Sequence, residues 1–269
     1  MQSIALDLKN FELNKIMPVP KGWFRLKNGE KVYITYSEFG HYPGKKGKRI
    51  VEEIRKVKPK YLLVETHSPK VRELILPSKE CYDKEMKIPE EKRSDIGWAI
   101  IAGNKVGATI IGFDLPQDKF LAAIHKSFKK YSEELAILNT IAHPVCSRIW
   151  HCKSTGEEIK LNEIYKRAES YLLKFSPKEV SLAIKRKGIK KLFKEWLDFL
   201  DLTLKEILDF DEYYLSLLLH FIVRFPSRKV RDKHMIRMIK RFAKKGKTAV
   251  VVGSGHIDRW IKYGWIEKV

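Results

Sequence analysis

The chain has 269 residues, of which 44% are hydrophobic and 32% charged, a globular composition that excludes a disordered protein. Lysine and arginine number 54 against 33 aspartate and glutamate residues, so the net charge of +21 excludes an acidic protein and allows a surface that attracts phosphate, acidic peptides or anionic lipid. With three cysteines and no apolar run of about 18 residues, the chain lacks the marks of a disulfide-framed secreted domain and of a membrane-spanning helix.

Two further features of composition bear on the compartment and the source. The N-terminal residues contain no apolar core of a signal peptide, which predicts a cytoplasmic protein. Glutamine occurs only at Gln2 and Gln117, whereas lysine and glutamate are plentiful, and this bias is typical of thermophile proteins. On that interpretation part of the excess lysine serves solubility alone.

Strands and helices alternate in the first 116 residues. Asn28-Gly29, between two runs rich in aromatic and β-branched residues, predicts a β-hairpin over Trp23–Tyr36 with a type I′ turn. Apolar spacing and turn residues then predict, in order, a helix over Lys48–Lys58, a buried strand over Tyr61–Glu65, a helix that begins at Ser68-Pro69, a helix over Pro89–Asn104 and a strand over Gly107–Phe113. This alternation predicts an α/β fold with a central, mainly parallel sheet, the N-terminal hairpin at its edge, and flanking helices.

The character of the sequence changes between residues 117 and 225. Helical periodicity dominates there and no strand pattern is evident, so we predict a helical insertion between the third and last core strands. A helix over Val230–Lys245 and a last core strand over Thr248–Val252 follow it. The predicted division is an N-terminal α/β half (1–116), the helical insertion (117–225) and a C-terminal helix and strand (226–269).

Polar side chains follow each of the four predicted parallel strands. Glu38 and His41 follow the second strand of the hairpin, and Glu65 closes the strand that begins at Tyr61. Asp114 follows the strand over Gly107–Phe113, and His256 follows the last strand across a Gly253-Ser254-Gly255 turn. Because the carboxyl ends of parallel strands share one edge, where ligands bind, we expect these two histidines and three carboxylates to converge. Such a set suits a metal site or acid–base catalysis. Each residue alone also has an ordinary explanation as a loop residue, a helix cap or an ion-pair partner.

Short motifs at these strand ends have the order of a known family. They are Gly253-Ser-Gly-His256 after the strand Ala249–Val252, Val230-Arg231-Asp232-Lys-His-Met235 upstream of it, and the strand-terminal Leu63-Val64-Glu65 and Ile111-Gly112-Phe113-Asp114. These motifs resemble the TraB/PrgY-like family, whose wider clan includes TIKI proteases, erythromycin esterases and ChaN-like proteins. Where the family has Gly-x-x-His, this chain has Glu38-Phe39-Gly40-His41, which is closer to the Glu-x-x-His of the esterase branch. The resemblance extends over residues 30–115 and 226–265.

The resemblance implies a hydrolase that acts on a peptide or an ester bond. The implied site residues are Glu38, His41, Glu65, Asp114, Arg231 and His256. His41 and His256 would be metal ligands or general bases, and Arg231 would stabilise an anionic intermediate. One divalent metal ion held by His41, Glu65 and His256 would lower the pKa of a bound water, whereas without metal a histidine oriented by a glutamate would deprotonate the water. The sequence leaves both routes open, and it also leaves Arg231 open as a solvated cation of a basic helix.

A second candidate metal site lies within residues 143–152. His143, Cys146, His151 and Cys152 are residue types that suit zinc. The adjacent His151-Cys152 pair departs from the usual ligand spacing, and a buried cysteine on a helix commonly acts as a small hydrophobic residue.

Basic residues are concentrated in two segments. Residues 185–194 contain six basic and no acidic residues, and residues 228–247 contain ten basic and one acidic. Such runs fit contact with a phosphate backbone, although the solvated face of a thermophile protein also explains them. Leu192, Phe193 and Phe242 recur at core-like spacing and are predicted to pack inward. The alternative function is therefore a non-enzymatic basic protein of the same fold that binds nucleic acid or a signalling peptide. A homo-oligomer stays open.

Overall fold

A computed structural model of the chain describes residues 20–37, 47–66, 78–90, 93–223 and 225–269. The predicted site residues Glu38 and His41, and the helix start predicted at Ser68-Pro69, lie outside the described residues. The other predicted site residues, Glu65, Asp114, Arg231 and His256, lie within them.

A six-stranded sheet forms the centre of the α/β unit. Its strands are β1 (Gly22–Leu26), β2 (Lys31–Ser37), β3 (Tyr61–Val64), β4 (Thr109–Gly112), β5 (Thr248–Gly253) and β6 (Ile266–Lys268). The spatial order is β4-β3-β5-β2-β1-β6. The first four strands in this order are mutually parallel, and β1 is antiparallel to both β2 and β6. The prediction of an α/β fold with a mainly parallel sheet is confirmed.

Twelve helices occur in the described residues. Those before the insertion are α1 (Lys48–Val57), α2 (Ser78–Met86) and α3 (Asp95–Lys105). The helical stretch contains α4 (Gln117–Lys129), α5 (Glu133–Thr155), α6 (Leu161–Phe175), α7 (Lys178–Lys187), α8 (Ile189–Phe199), α9 (Leu204–Asp209) and α10 (Glu212–Ile222). The last two are α11 (Phe225–Ala243) and α12 (Ser254–Lys262). None of them combines the length and the apolarity needed to cross a lipid bilayer.

Helices cover both faces of the sheet because its central strands are apolar on both sides. On one face the core contains residues of β3, β5, α11 and α12, among them Leu63, Val250, Val252, Met235, Ile239 and Trp260. On the other face it contains residues of β3, β5, α1 and α3, among them Leu62, Val251, Ile54 and Ala99. The packing on the first face holds α11 and α12 against the strands, and these two helices carry Arg231 and His256.

The chain divides into two compact units. The helical unit includes Gln117–Val230, and the α/β unit includes the described residues up to Pro116 and those from Arg231 onward. Within the helical unit, the buried Asn139 accepts a hydrogen bond from the Trp196 Nε1–H at 3.2 Å, and Trp196 stacks on Phe193 with ring centroids 5.5 Å apart. Leu192 and Phe193 are buried in this unit and Phe242 in the other, so the prediction that these three pack inward is confirmed.

The hairpin is confirmed, but the predicted turn type is wrong. The Gly29 N–H donates to the Leu26 carbonyl at 2.8 Å, and the Leu26 N–H donates to the Glu30 carbonyl at 2.9 Å. Gly29 has a φ of 90°, whereas Asn28 is not among the residues with positive φ. The loop is therefore a type I turn followed by a glycine bulge, because it is longer than the two-residue loop that a type I′ turn closes.

Three further predictions about these elements are corrected by the structure. The helix predicted from Pro89 begins at Asp95, because the Ser94 side chain caps it by accepting the Gly97 N–H at 3.0 Å. The predicted Gly253-Ser254-Gly255 turn is instead the N-cap and first turn of α12. The hairpin does not form the edge of the sheet, because β6 pairs with β1.

Candidate active site

The parallel strands bring polar groups to one edge of the sheet. Val64 of β3 lies beside both Gly112 of β4 and Val251 of β5, so Glu65 and Asp114, which follow β3 and β4, lie close to the end of β5. The Glu65 N–H donates to the Val251 carbonyl at 3.1 Å, which extends the pairing of β3 one residue beyond the strand. Both carboxylates are buried, each about 6% exposed.

Arg231 joins the two carboxylates. Its Nε donates to Asp114 Oδ1 at 2.7 Å, and its Nη2 donates to Asp114 Oδ2 at 2.5 Å and to Glu65 Oε1 at 2.7 Å. The planar fork of the guanidinium matches a carboxylate in this two-bond geometry. Burial alone would lower the pKa of Arg231, but the charges of Asp114 and Glu65 outweigh it and raise that pKa well above its usual range. Arg231 is therefore a permanent positive charge between two strand ends.

His256 lies between two carboxylates that come from different elements. Its Nδ1 faces Asp232 Oδ1 on α11, and its Nε2 faces Glu65 Oε1 after β3 at 3.2 Å. Arg259, one turn after His256 on α12, donates from Nε to Asp232 Oδ2 at 2.6 Å and from Nη2 to Asp232 Oδ1 at 3.2 Å. Asp232 is fully buried, and His256 is about 6% exposed. The imidazole is thus held at both nitrogen atoms.

The hydrogen bonds assign the ring proton of His256. Arg259 Nη2 lies 3.0 Å from Nδ1, but a guanidinium only donates, and so does a protonated ring nitrogen. Asp232 Oδ1 can accept from both groups, which makes Nδ1–H the state that satisfies all three side chains. Nε2 is then the nitrogen that can gain or release a proton, on the side that faces Glu65.

The start of α12 fixes the position of Glu65. The Gly253 N–H, at the N-cap of this helix, donates to Glu65 Oε2 at 2.6 Å. A Cβ atom at Gly253 would lie 3.2 Å from the same oxygen, which is closer than an ordinary contact, so glycine permits this approach. A carboxylate is favourable at this place because the N-terminus of a helix carries partial positive charge. Glu65 therefore contacts Gly253, Arg231 and His256.

The cluster is nearly balanced in charge. The three carboxylates of Glu65, Asp114 and Asp232 face the two guanidinium groups of Arg231 and Arg259. A proton gained at His256 Nε2 would bring the charges into balance. With a neutral imidazole the group retains one net negative charge among its buried side chains, and this property distinguishes it from an apolar core.

The Asp232 carboxyl is predicted to make the protein less stable in acid. Burial would raise its pKa, but the hydrogen bonds from His256 and Arg259 outweigh burial and lower the pKa from 3.8 to about 2. A lowered pKa stabilises the fold above the unfolded value, and this contribution is lost as the pH falls from about 4 to about 2. The shift corresponds to about 2 kcal/mol of unfolding free energy. Urea unfolding of the wild type and of Asp232→Asn between pH 2 and 7 measures it.

The control for this prediction is Asp198→Asn, which removes an exposed carboxylate on α8. We expect it to have the same pH dependence as the wild type, whereas the pH dependence of Asp232→Asn should be flatter between pH 4 and 2. An Asp232→Asn variant whose stability falls in acid as steeply as that of the wild type would contradict the assigned hydrogen bonds.

Four of the six predicted site residues lie together in the structure. Two residues that were not among the predicted site residues, Asp232 and Arg259, lie with them. Asp232 could have been found as the single acidic residue in the basic segment 228–247. Arg259 carried only a weak signal in the sequence, because no helical pattern was predicted over α12, in which it lies one turn after His256. The structure places Glu65, Asp114, Arg231, Asp232, His256 and Arg259 within one connected network.

The positions of histidine, cysteine and carboxylate side chains in the described residues bear on the predicted metal sites. Within the described ranges, no group of three histidine, cysteine, aspartate or glutamate side chains is arranged to hold a metal ion. At the strand ends, Glu65 and His256 already contact Arg231 and Asp232. The third predicted ligand, His41, lies outside the described residues, so the divalent metal ion stays a prediction and no chemical step is derived through it.

The cysteines of residues 143–152 lie along α5 as core residues. Cys146 and Cys152 are buried, and burial raises the pKa of the Cys146 thiol. The His143 ring packs edge-on against Phe120 at 5.2 Å between centroids, and His151 Nε2 lies 3.5 Å from Glu157 Oε1. A thiol with a raised pKa is a poor metal ligand, because zinc binds the thiolate.

Comparison with known proteins provides no relative from which the chemistry of this site could be transferred. No protein-family model, no curated protein and no solved structure matches the chain. Any function must therefore be argued from the side chains at the strand ends.

Proposed function

We propose that the chain is a hydrolase that cleaves an ester or peptide bond, with His256 as its proton-transfer group. The observation that supports this most is the position of the His256 imidazole, which lies between Asp232 at Nδ1 and Glu65 at Nε2. A carboxylate at Nδ1 fixes the orientation of the ring, as in general-base histidines, and the carboxylate of Glu65 at Nε2 would stabilise the proton that this nitrogen gains. The resemblance of the motifs to the TraB/PrgY-like family supports the same reaction class.

In the proposed reaction, a water molecule near Glu65 is the nucleophile. It loses a proton to His256 Nε2 as its oxygen adds to the carbonyl carbon of the substrate. The protonated imidazole is stabilised by Asp232 on one side and by Glu65 on the other. When the carbon–oxygen or carbon–nitrogen bond breaks, the proton passes from Nε2 to the leaving alcohol or amine, and His256 returns to its first state.

Arg231 is proposed to stabilise the anionic intermediate. Its side chain is 24% exposed, whereas the carboxylates that hold it are almost fully buried. The guanidinium is therefore held in place from behind and keeps an accessible portion that can approach a substrate oxygen. Fixed donors aimed at developing negative charge are among the largest contributions to catalysis, because they need no rearrangement during the reaction.

The experiment that tests this function compares the wild type with His256→Gln. The probes are p-nitrophenyl esters of increasing acyl length and a library of quenched fluorescent peptides. Glutamine can fill most of the site but cannot exchange a proton, so we expect hydrolysis to fall by about 100-fold or more. His220→Gln, which replaces an exposed histidine on α10, is the matched control and should keep full activity.

Two outcomes would contradict the proposal. One is a wild type that cleaves none of the esters or peptides, and the other is a His256→Gln variant that cleaves them as fast as the wild type. Far-UV circular dichroism and the melting temperature of each variant show whether any loss reflects misfolding.

A further inference from the structure

The basic segment 228–247 separates into three groups in the structure. Arg228 donates to the carbonyls of Val223 and His220 at 2.7 and 2.6 Å, and Arg231 belongs to the candidate active site. The remaining basic residues of the segment are Lys229, Lys233, Arg237, Lys240, Arg241, Lys244, Lys245 and Lys247. The basic residues of this segment therefore do not share a single role.

One side of α11 is a row of exposed cations. Lys233, Arg237 and Arg241 follow one another at intervals of four residues and are all exposed, which places them on a single face of the helix. The opposite face carries Met235 and Phe242, which are buried in the core of the α/β unit. Since the apolar face is used for packing, the basic face is directed to solvent.

The row ends near further exposed cations at the amino ends of the parallel strands. We call Lys60, Arg241, Lys245 and Lys247 the amino-edge cluster; all four are exposed. Lys60 and Lys247 directly precede β3 and β5, where the Lys60 N–H donates to the Lys247 carbonyl at 2.8 Å.

Aromatic rings support the cationic side chains of the cluster. The cation of Lys60 lies 5.4 Å from the centre of the Tyr61 ring, and those of Lys245 and Arg241 lie 5.5 and 5.7 Å from the centre of the Phe242 ring. The Tyr61 and Phe242 rings contact each other at 5.2 Å between centroids. These contacts connect the side chains of Lys60, Arg241 and Lys245, whereas the cation of Lys247 lies 5.9 Å from the centre of the Trp23 ring, which packs against the core on the other face of the sheet.

The cations of the amino-edge cluster differ in their ion pairs from other cations of the described residues. None of its four cations has a carboxylate partner among the described residues, whereas Lys21, Arg148 and Lys187 elsewhere are paired with glutamates. Four exposed positive charges at the same end of the parallel strands repel one another in the free protein. A polyanionic partner would relieve that repulsion.

We propose that the amino-edge cluster and the adjoining row on α11 bind the phosphate backbone of nucleic acid. A row of cations at regular intervals is complementary to a polymer that carries regularly spaced phosphates. A membrane surface fits less well, because the exposed large apolar residues described in the α/β unit are Met86, Ile261 and Val269, none of which belongs to this surface.

The amino-edge cluster is separate from the candidate active site. Lys60 directly precedes β3 and Glu65 directly follows it, so the five residue steps between them place the two positions at opposite ends of the strand, about 16 Å apart. The proposal therefore does not depend on the hydrolase, and substitutions in the cluster leave the network around His256 in place.

The experiment measures binding of a fluorescein-labelled 20-base-pair DNA duplex by fluorescence anisotropy between 50 and 200 mM NaCl. The test variant is the full chain with Lys60→Gln, Arg241→Gln, Lys245→Gln and Lys247→Gln. Its matched control carries Lys185→Gln, Arg186→Gln, Lys190→Gln and Lys191→Gln, which remove the same charge from exposed positions in segment 185–194. We expect the test variant to bind about 100-fold more weakly, and the slope of log affinity against log salt to become shallower by about three to four.

The control and His256→Gln should bind the duplex within about threefold of the wild type, because non-specific binding follows the phosphate contacts and not the net charge of the protein. Equal losses in the test variant and its control would show an effect of net charge and overturn the proposal. It would also be overturned by a wild type that does not bind the duplex, including one that binds phosphatidylserine vesicles through the same residues instead.

Discussion

Arg231→Ala is expected to lower the free energy of unfolding by about 3–5 kcal/mol, the largest effect on stability that we predict for a single substitution in the site. The guanidinium makes three hydrogen bonds to Glu65 and Asp114, and both of these carboxylates are almost fully buried. Without it, two negative charges would remain close together in a poorly solvated place. The loss thus reflects the unpaired acids more than the intrinsic value of the ion pair.

Urea unfolding at pH 7 measures this effect. Arg237→Ala is the matched control, because it removes an exposed arginine from the same helix and should change stability by no more than about 0.5 kcal/mol. Arg231→Lys should lie between the two, since lysine keeps the charge but cannot form the two-bond contact with Asp114. Equal effects of Arg231→Ala and Arg237→Ala would mean that the described contacts do not hold in solution.

Asp232→Asn is expected to lower the rate of hydrolysis by about 100-fold or more while it leaves substrate binding nearly unchanged. Both carboxylate oxygens accept hydrogen bonds, one mainly from Arg259 Nε and the other from His256 Nδ1. An asparagine has a single acceptor oxygen, so its amide N–H group must face either Arg259 or His256. If it faces His256, the ring proton moves to Nε2, and the nitrogen needed as the base is no longer available.

Steady-state kinetics on a substrate identified with the wild type test this prediction. We expect kcat to fall and KM to stay within a few-fold, because Asp232 positions His256 and does not touch the substrate. Asp258→Asn, which changes an acidic residue near His256 in sequence, serves as the comparison and should retain activity. Equal kcat values for Asp232→Asn and the wild type would remove Asp232 from the mechanism.

Most of the sheet could be predicted from the sequence because its strands have local signatures. Tyr61–Val64 and Thr248–Val252 are short apolar runs that follow basic turns, and the helix over Lys48–Val57 buries the four apolar residues that its spacing indicated. The missed elements lack such signatures. The strand Ile266–Lys268 has three residues, and its single buried side chain, Ile266, shows no alternation that could be recognised.

The sequence could predict those residues of the candidate site that directly follow a strand of the sheet. Glu65 and Asp114 each follow a strand, and the parallel arrangement alone brings them to one edge. The bonding between side chains depends on how helices pack on the sheet, which no local pattern specifies. The roles of Asp232 and Arg259 are therefore visible only in the structure, where α11 and α12 pack on the same face of the sheet and bring both residues to His256.

The most direct test of this account is the protonation of the two nitrogens of His256, which nitrogen-15 NMR of the labelled imidazole reports. The assigned hydrogen bonds predict that the neutral ring carries its proton on Nδ1, and that exchange with water occurs at Nε2. Spectra of His256→Gln identify the signals by their loss. A wild-type His256 with a proton on Nε2 and none on Nδ1 would contradict the orientation by Asp232, and with it the proposed role of the histidine as the base.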